Sequence, residues 1–252
     1  MCECEHRSTG TDTLNLSLLG AFYLTYSGTH VPVAVSAQRV LAFLALQRRW
    51  ISRTYVAGIL WPDTTQRQAA ASLRSALWRL RRTDLPLVRT TPSRIAMASG
   101  VRTDVHHVTA RIRRLLNPAR TLDPVELDPE ALSSELLPDW TSEEWLVVER
   151  ERFRQLRLHG LEAVSMILHA SGRIGEAIEA SVLAVHQEPL RESAHRTLIA
   201  LHLAEGNRDE ALRQYHWYER LLREELNIRP SQQMIQQIRG LQDDSNAATT
   251  AA

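Results

Sequence analysis

The sequence predicts a multidomain chain, α+β and then all-α, and three observations carry that reading. Charge divides the chain: residues 1–116 hold 16 Arg against 6 acids, whereas residues 117–252 hold 14 Arg against 23. Hydrophobic spacing alternates every second residue near the N-terminus, then turns to the helical period near residue 38. A motif in the C-terminal half recurs after 34 residues: Ala170, Gly172, Glu176 and Ala177 return as Ala204, Gly206, Glu210 and Ala211. At 252 residues and 44% hydrophobic content, the chain is long enough for two packed domains. The expected division is a tail over 1–12, a first domain over 13–102, a second over 103–242 and a tail over 243–252.

In chain order, Leu14, Leu16 and Leu18 alternate with polar Asn15 and Ser17. Phe22, Leu24 and Tyr26 repeat the pattern, as do Val31, Val33 and Val35, with a turn at Ser27-Gly28. These runs predict a small antiparallel sheet. Gln38–Gln47 places Val40, Leu41, Leu44 and Ala45 on one helical face. Ser52 starts a second helix, Arg53–Leu60, which Pro62 ends. A third helix runs from about Gln66 to Arg82. Leu87–Thr90 and Arg94–Met97 then flank Thr91-Pro92-Ser93 as a hairpin. Sheet, three helices and hairpin in that order predict a winged helix-turn-helix with an N-terminal β-sheet. Residues 117–138 carry four prolines and read as a connection with one short helix. The 34-residue repeat, with Gly at the inter-helix turn and Ala at the close packing, predicts a TPR-like α-helical domain whose two matched units need neighbouring helices to complete the stack. Trp140 and Trp145 are expected to pack on the first helix of that domain, and Glu188–Glu192 to end one helix and cap the next.

The third helix carries the functional reading. Ala69, Ala70, Leu73, Ala76, Leu77 and Leu80 fall on one side and form its buried stripe. The opposite side presents Ala71, Ser75, Trp78 and Arg82, flanked by Arg74 and Arg81 on one edge and Ser72 and Arg79 on the other. Small residues at the N-terminal end allow close approach to base edges, and arginine donates in bidentate fashion to guanine or reaches phosphates. A charged outer face is ordinarily just solvated. Here it bears arginines and no acid from Gln66 to Arg82, and a hairpin with Arg89 and Arg94 follows, so double-stranded DNA is the expected partner.

Other chemistry is thinly supplied. All 30 basic residues are arginine, so a Walker A lysine and a Schiff-base lysine are excluded. No serine or cysteine sits in a nucleophile elbow, and neither an enzyme nor a cofactor is expected. Cys2, Cys4 and His6 lack a fourth ligand for zinc, and His106-His107 read as ordinary helix residues, so no metal site is expected. His186, His195 and His202 read as packing groups. The acidic, polar start of the chain and the absence of a long apolar run predict a cytoplasmic protein with no membrane partner.

Residues 14–105 resemble the OmpR-type winged-helix domain as found in SARP-family regulators. The segments LSLLGAFYL (Leu16–Leu24), Gln38-Arg39, LWPD (Leu60–Asp63) and LRSALWRLRR (Leu73–Arg82) carry the likeness. Residues from 104 to about 241 resemble the bacterial transcriptional activation domain. There the matching segments are LLPDW (Leu136–Trp140), EPLRESAHRTL (Glu188–Leu198), AEGNRDEALRQY (Ala204–Tyr215) and LREELNIRPS (Leu222–Ser231). The resemblance implies activation of an antibiotic-type biosynthetic gene cluster, binding to direct repeats as a homodimer, and engagement of RNA polymerase holoenzyme. It puts Arg74, Ser75, Trp78 and Arg79 near bases or phosphates and Arg81 and Arg82 near the backbone. Ser72 and Trp78 depart from the usual pattern of the family, which implies an unusual operator. No nucleotide-binding module is expected, unlike in the larger ATPase-bearing regulators of that family. A repressor or ligand-switched regulator using the TPR-like groove, or a TPR-type interaction adaptor, are the rival readings.

Overall fold

The computed structural model describes residues 13–117 and 127–239; the expected tails, with Cys2, Cys4 and His6, lie outside them. The chain forms two compact units that do not follow one cut: Ser134–Phe153 belongs with the N-terminal unit, and Ala110–Ser133 with the C-terminal one.

In the N-terminal unit, β1 (Leu14–Ser17), β2 (Tyr23–Tyr26), β3 (Thr29–His30) and β7 (Val101–Thr103) form a sheet in the order β3-β2-β1-β7. β1 pairs antiparallel with β2 (Leu16 opposite Leu24) and parallel with β7 (Leu14 opposite Val101). Leu14, Leu16 and Leu18 are buried, as period-two alternation requires. The third valine run is not a strand. Pro32 has no N–H for a ladder, and Val35, 70% exposed, opens a helix instead.

That helix, α1 (Val35–Gln47), is buried more than half-way round, for Ala42 and Phe43 are covered as well as the expected face. α2 (Arg53–Leu60) and α3 (Gln66–Arg81) follow, and β4 (Ile51–Ser52), β5 (Val88–Thr90) and β6 (Arg94–Met97) make a second sheet, ordered β4-β6-β5. The hairpin β5–β6 is the wing. α3 begins in a capping box, Thr65 accepting from the Gln68 amide while the Gln68 side chain accepts from the Thr65 amide. Ala69, Leu73, Ala76, Leu77 and Leu80 are its buried stripe.

Residues 134–153 strap this unit. Leu136 bridges Leu19, the Leu137 amide donates to the Leu18 carbonyl, and Arg150 donates to the carbonyls of Leu136 and Leu137. Trp140 stacks on Phe22 at 6.0 Å and Trp145 packs edge-on against Phe43 at 5.2 Å, so both tryptophans serve the winged-helix core and not the repeat helices. Trp145 is also the reason α1 is buried on its Phe43 side.

The C-terminal unit is all-helical. It takes the end of α4 (Asp104–Leu115), a 3-10 turn at Glu130–Leu132, most of α5 (Glu144–Ala170), α6 (Ile174–Gln187), α7 (Glu192–Glu205), α8 (Arg208–Leu226) and a helical stretch over 232–239. Gly172 (φ 76°) turns α5 into α6 and Gly206 (φ 88°) turns α7 into α8. Each left-handed turn favours glycine. Ala177 and Ala211, five residues after those turns, are both fully buried. The 34-residue spacing therefore marks two equivalent helix pairs. Met234 and Ile238 close the second pair by packing with Ile199, Tyr215 and Tyr218. Glu188–Glu192 does end α6, but its caps differ from expectation. The Pro189 carbonyl accepts from His195, and Glu192 accepts from the Ser231 amide at 2.9 Å, holding the 232–239 stretch.

Candidate nucleic-acid interface

α3 gathers most of the predicted residues on one exposed face because its stripe of Ala and Leu is fixed to the core. Arg74, Ser75, Trp78, Arg79, Arg81 and Arg82 are all exposed. Neutral neighbours steady three of the arginines. Arg79 donates to Ser36 Oγ at 3.1 Å, Arg81 to Thr90 Oγ1 at 3.5 Å, and the Arg82 guanidinium lies 5.0 Å from the Trp78 ring centroid. Among the described residues, none of these arginines pairs with a carboxylate. The C-terminal unit differs: there Arg154 pairs with Glu188, Arg173 with Glu176, Arg191 with Glu162 and Arg213 with Glu210.

Of the two wing arginines, Arg89 lies apart from that face. Arg89 sits opposite Ala96 in the β5–β6 register, and its guanidinium reaches across this small residue to 4.9 Å from the Trp50 ring. Side chains alternate along a strand, and neighbouring Thr90 is the residue that meets α3, so Arg89 points to the other side of the wing. Arg94 is exposed at the wing turn, opposite Ser52.

A cleft of about 550 Å³ opens between α2, the first half of α3 and the wing turn, lined by Arg53, Thr54, Gly58, Arg74 and Pro92 among others. The Arg53 amide donates to the Ser93 carbonyl at 2.9 Å, continuing the β4–β6 pairing of Ser52 with Arg94, so the wing turn is held at the start of α2. Two guanidiniums, a hydroxyl and a helix start around a concave wall suit a phosphodiester strand. Arg53 and Thr54 were not legible as site residues, since their partner lies some forty residues away.

Behind α3, Arg39 of α1 holds the turn that leads into it. Its Nη2 donates to the Leu60 carbonyl at 2.5 Å, its guanidinium covers Trp61 at 5.6 Å, and Glu143 of the strap binds its other edge at 2.5 Å.

His106 is held between the Ala45 carbonyl, through Nε2 at 2.8 Å, and Thr103 Oγ1, through Nδ1, and burial pushes its pKa down. Among the described residues no three His, Cys, Asp or Glu side chains gather as metal ligands, and no helix is long and apolar enough to cross a membrane.

Residues 129–241 match the family model of the bacterial transcriptional activator domain. No curated protein matches the chain. Among solved structures, the fold is similar to Mycobacterium tuberculosis EmbR in complex with a low-affinity phosphopeptide, with TM-score 0.71 and 20% identity over 89% of this chain. The chain spans 63% of that structure's length. The likeness establishes the α+β then all-α architecture.

Proposed function

We propose, from the match of residues 129–241 to the family model of the bacterial transcriptional activator domain, that the chain is a SARP-type activator that binds double-stranded DNA through α3 and draws RNA polymerase holoenzyme to the promoter. One observation carries the DNA half of the reading: three outward arginines of α3 are held by neutral groups and, among the described residues, none meets a carboxylate, while Arg154, Arg173, Arg191 and Arg213 of the C-terminal unit do. Guanidiniums kept extended and uncompensated are suited to a polyanion. α3 enters the major groove, with Arg74, Ser75, Trp78 and Arg79 at base edges and Arg81 and Arg82 toward the backbone. The cleft at Arg53 and Thr54 takes the strand between helix and wing, where Arg94 adds a contact. Arg89, on the far side of the wing, reaches DNA only beyond the principal groove.

The finer reading is a homodimer on direct repeats that switches on a biosynthetic gene cluster from the cytoplasm, without enzymatic activity. Gel shift and footprinting on promoters of the chain's own gene neighbourhood test it, with Arg79→Ala as the control. The variant should lose specific affinity by roughly 1–3 kcal/mol if Arg79 reads a base. An unchanged footprint and affinity would remove Arg79 from the interface. Transcription in vitro with purified polymerase separates activation from repression, because a repressor lowers the transcript at the same occupancy.

A further inference from the structure

Trp78 is the sole aromatic residue of α3 and it is 57% exposed. A single exposed side chain needs no covering by itself, but an indole set among arginines on an acid-free face offers a large apolar surface with one N–H to whatever that face meets. Its surroundings narrow the choice. Arg82, one turn on, lies over the ring at 5.0 Å, which fixes the indole and occupies one of its faces. Arg74 and Ser75, one turn back, are exposed on the same side, and Ala70, Ala71 and Ser72 keep the start of the helix slim. Trp78 thus lies within the sector of α3 that meets base edges when the helix is seated in a major groove. The indole offers a single N–H and an apolar face. The apolar group that the major groove displays is the C5 methyl of thymine.

We propose that Trp78 is a specificity-determining residue that reads a thymine methyl, with Arg82 as the positioning residue that holds its ring. The inference rests on the reading of α3 as a groove helix. A deoxyribose would also accept the indole, but that contact is blind to sequence. A second copy of the chain would meet a face crowded with like-charged arginines.

The test uses the full chain and one atom group of the DNA. Binding sites are selected from a randomised duplex pool, and each thymine of the protected site is replaced singly by deoxyuridine, which lacks only the methyl. At one thymine per bound protomer, the wild-type chain should lose affinity roughly fourfold, the worth of one methyl removed from water. Trp78→Ala should bind the thymine and uracil duplexes equally. Arg82→Ala should keep a reduced preference. Because Trp78 packs into no core, the substitution leaves the fold in place. The proposal is overturned if no thymine responds, or if the response persists in Trp78→Ala. It is equally overturned if Trp78→Ala retains full discrimination and instead alters the sedimenting mass, since a second copy then covers the ring. Failure of the wild-type chain to enrich any duplex overturns the groove reading as well, so the two failures are distinguishable.

Discussion

Two glycines show how far a single Cβ can go in opposite directions. Gly58 lies inside α2 at the cleft, and a Cβ built there meets nothing within 4 Å. Gly58→Ala removes the helix-interior cost of glycine without a clash, so the N-terminal unit should gain about 0.5–1 kcal/mol. Gly160 lies inside α5, where a Cβ would stand 3.0 Å from Ile112 Cγ1 and 3.3 Å from Leu132 Cδ1. Both neighbours are fully buried, so any shift to make room presses on the packing around them. Overpacking exceeds the propensity gain here, so Gly160→Ala should cost the C-terminal unit about 1 kcal/mol net. Urea titrations of both variants check the pair, and two shifts of the same sign would refute the argument. His195 sets a pH dependence. It is fully buried and stacks on Tyr218 at 4.1 Å. Its Nε2–H donates to the Pro189 carbonyl, and its Nδ1 accepts from Gln214. Both ring nitrogens are therefore satisfied only in the neutral form, and burial pushes the pKa down to about 4 from an ordinary 6.5. A histidine depressed in the folded state supports the fold fully above pH 6.5. That support is lost as pH falls from 6.5 toward 4, because the unfolded chain binds the proton first. The loss amounts to about 3 kcal/mol, and His195→Gln should flatten this slope in denaturation curves taken across the range.

Among the elements, the strap over 134–153 changes what belongs to the N-terminal unit. Glu143 holds Arg39, and Arg39 holds the Leu60 carbonyl and Trp61 at the turn before α3. Glu143→Gln removes the charge partner of a pair whose side chains are only 22% and 14% exposed. It should destabilise the N-terminal unit by about 2 kcal/mol, below the value for a fully buried pair because water reaches both groups. Amide exchange at Leu60 and Thr64 should quicken, and unchanged exchange there would sever the proposed link from strap to reader helix. The sequence does not disclose this strap, and the reason is physical. Nothing in the local sequence of Trp140 and Trp145 says what they pack on, and only the approach of Phe22 and Phe43, distant in sequence, decides it. α2 is different: Pro62 ends it by local sterics, so its bounds Arg53–Leu60 are legible directly. The outer face of α3 is legible as well, since helix geometry projects it from six apolar positions. Arg89 was not separable from that face, because the side to which a strand residue points depends on a register set by β6. The cleft at Arg53 depends on the pairing of β4 with β6 and the Arg53–Ser93 hydrogen bond beyond it, contacts some forty residues apart that no local pattern announces.

For the whole molecule, charge read from composition and charge read from structure diverge. The basic character of residues 1–116 does not pass intact to the folded N-terminal unit. With the strap included, and within residues 13–109 and 134–153, that unit holds 14 Arg against 9 acids. Its net charge is modest, so on the proposed reading the local array on α3, more than a general positive field, supplies the affinity. These two accounts predict different salt responses. Phosphate contacts release counterions, and each lowers the slope of log K against log salt by about 0.9. About four arginine–phosphate contacts per protomer then give a slope of about −3 to −4. Arg74→Gln, at the cleft, should make that slope shallower by about 0.9. Glu144→Gln raises the net charge of the same unit by the same amount at an exposed site on the strap, and should leave the slope unchanged. Titrations of both variants from low to physiological salt decide between local contact and global field. If Glu144→Gln steepens the slope as much as Arg74→Gln flattens it, net charge governs binding and the α3 array loses its special standing.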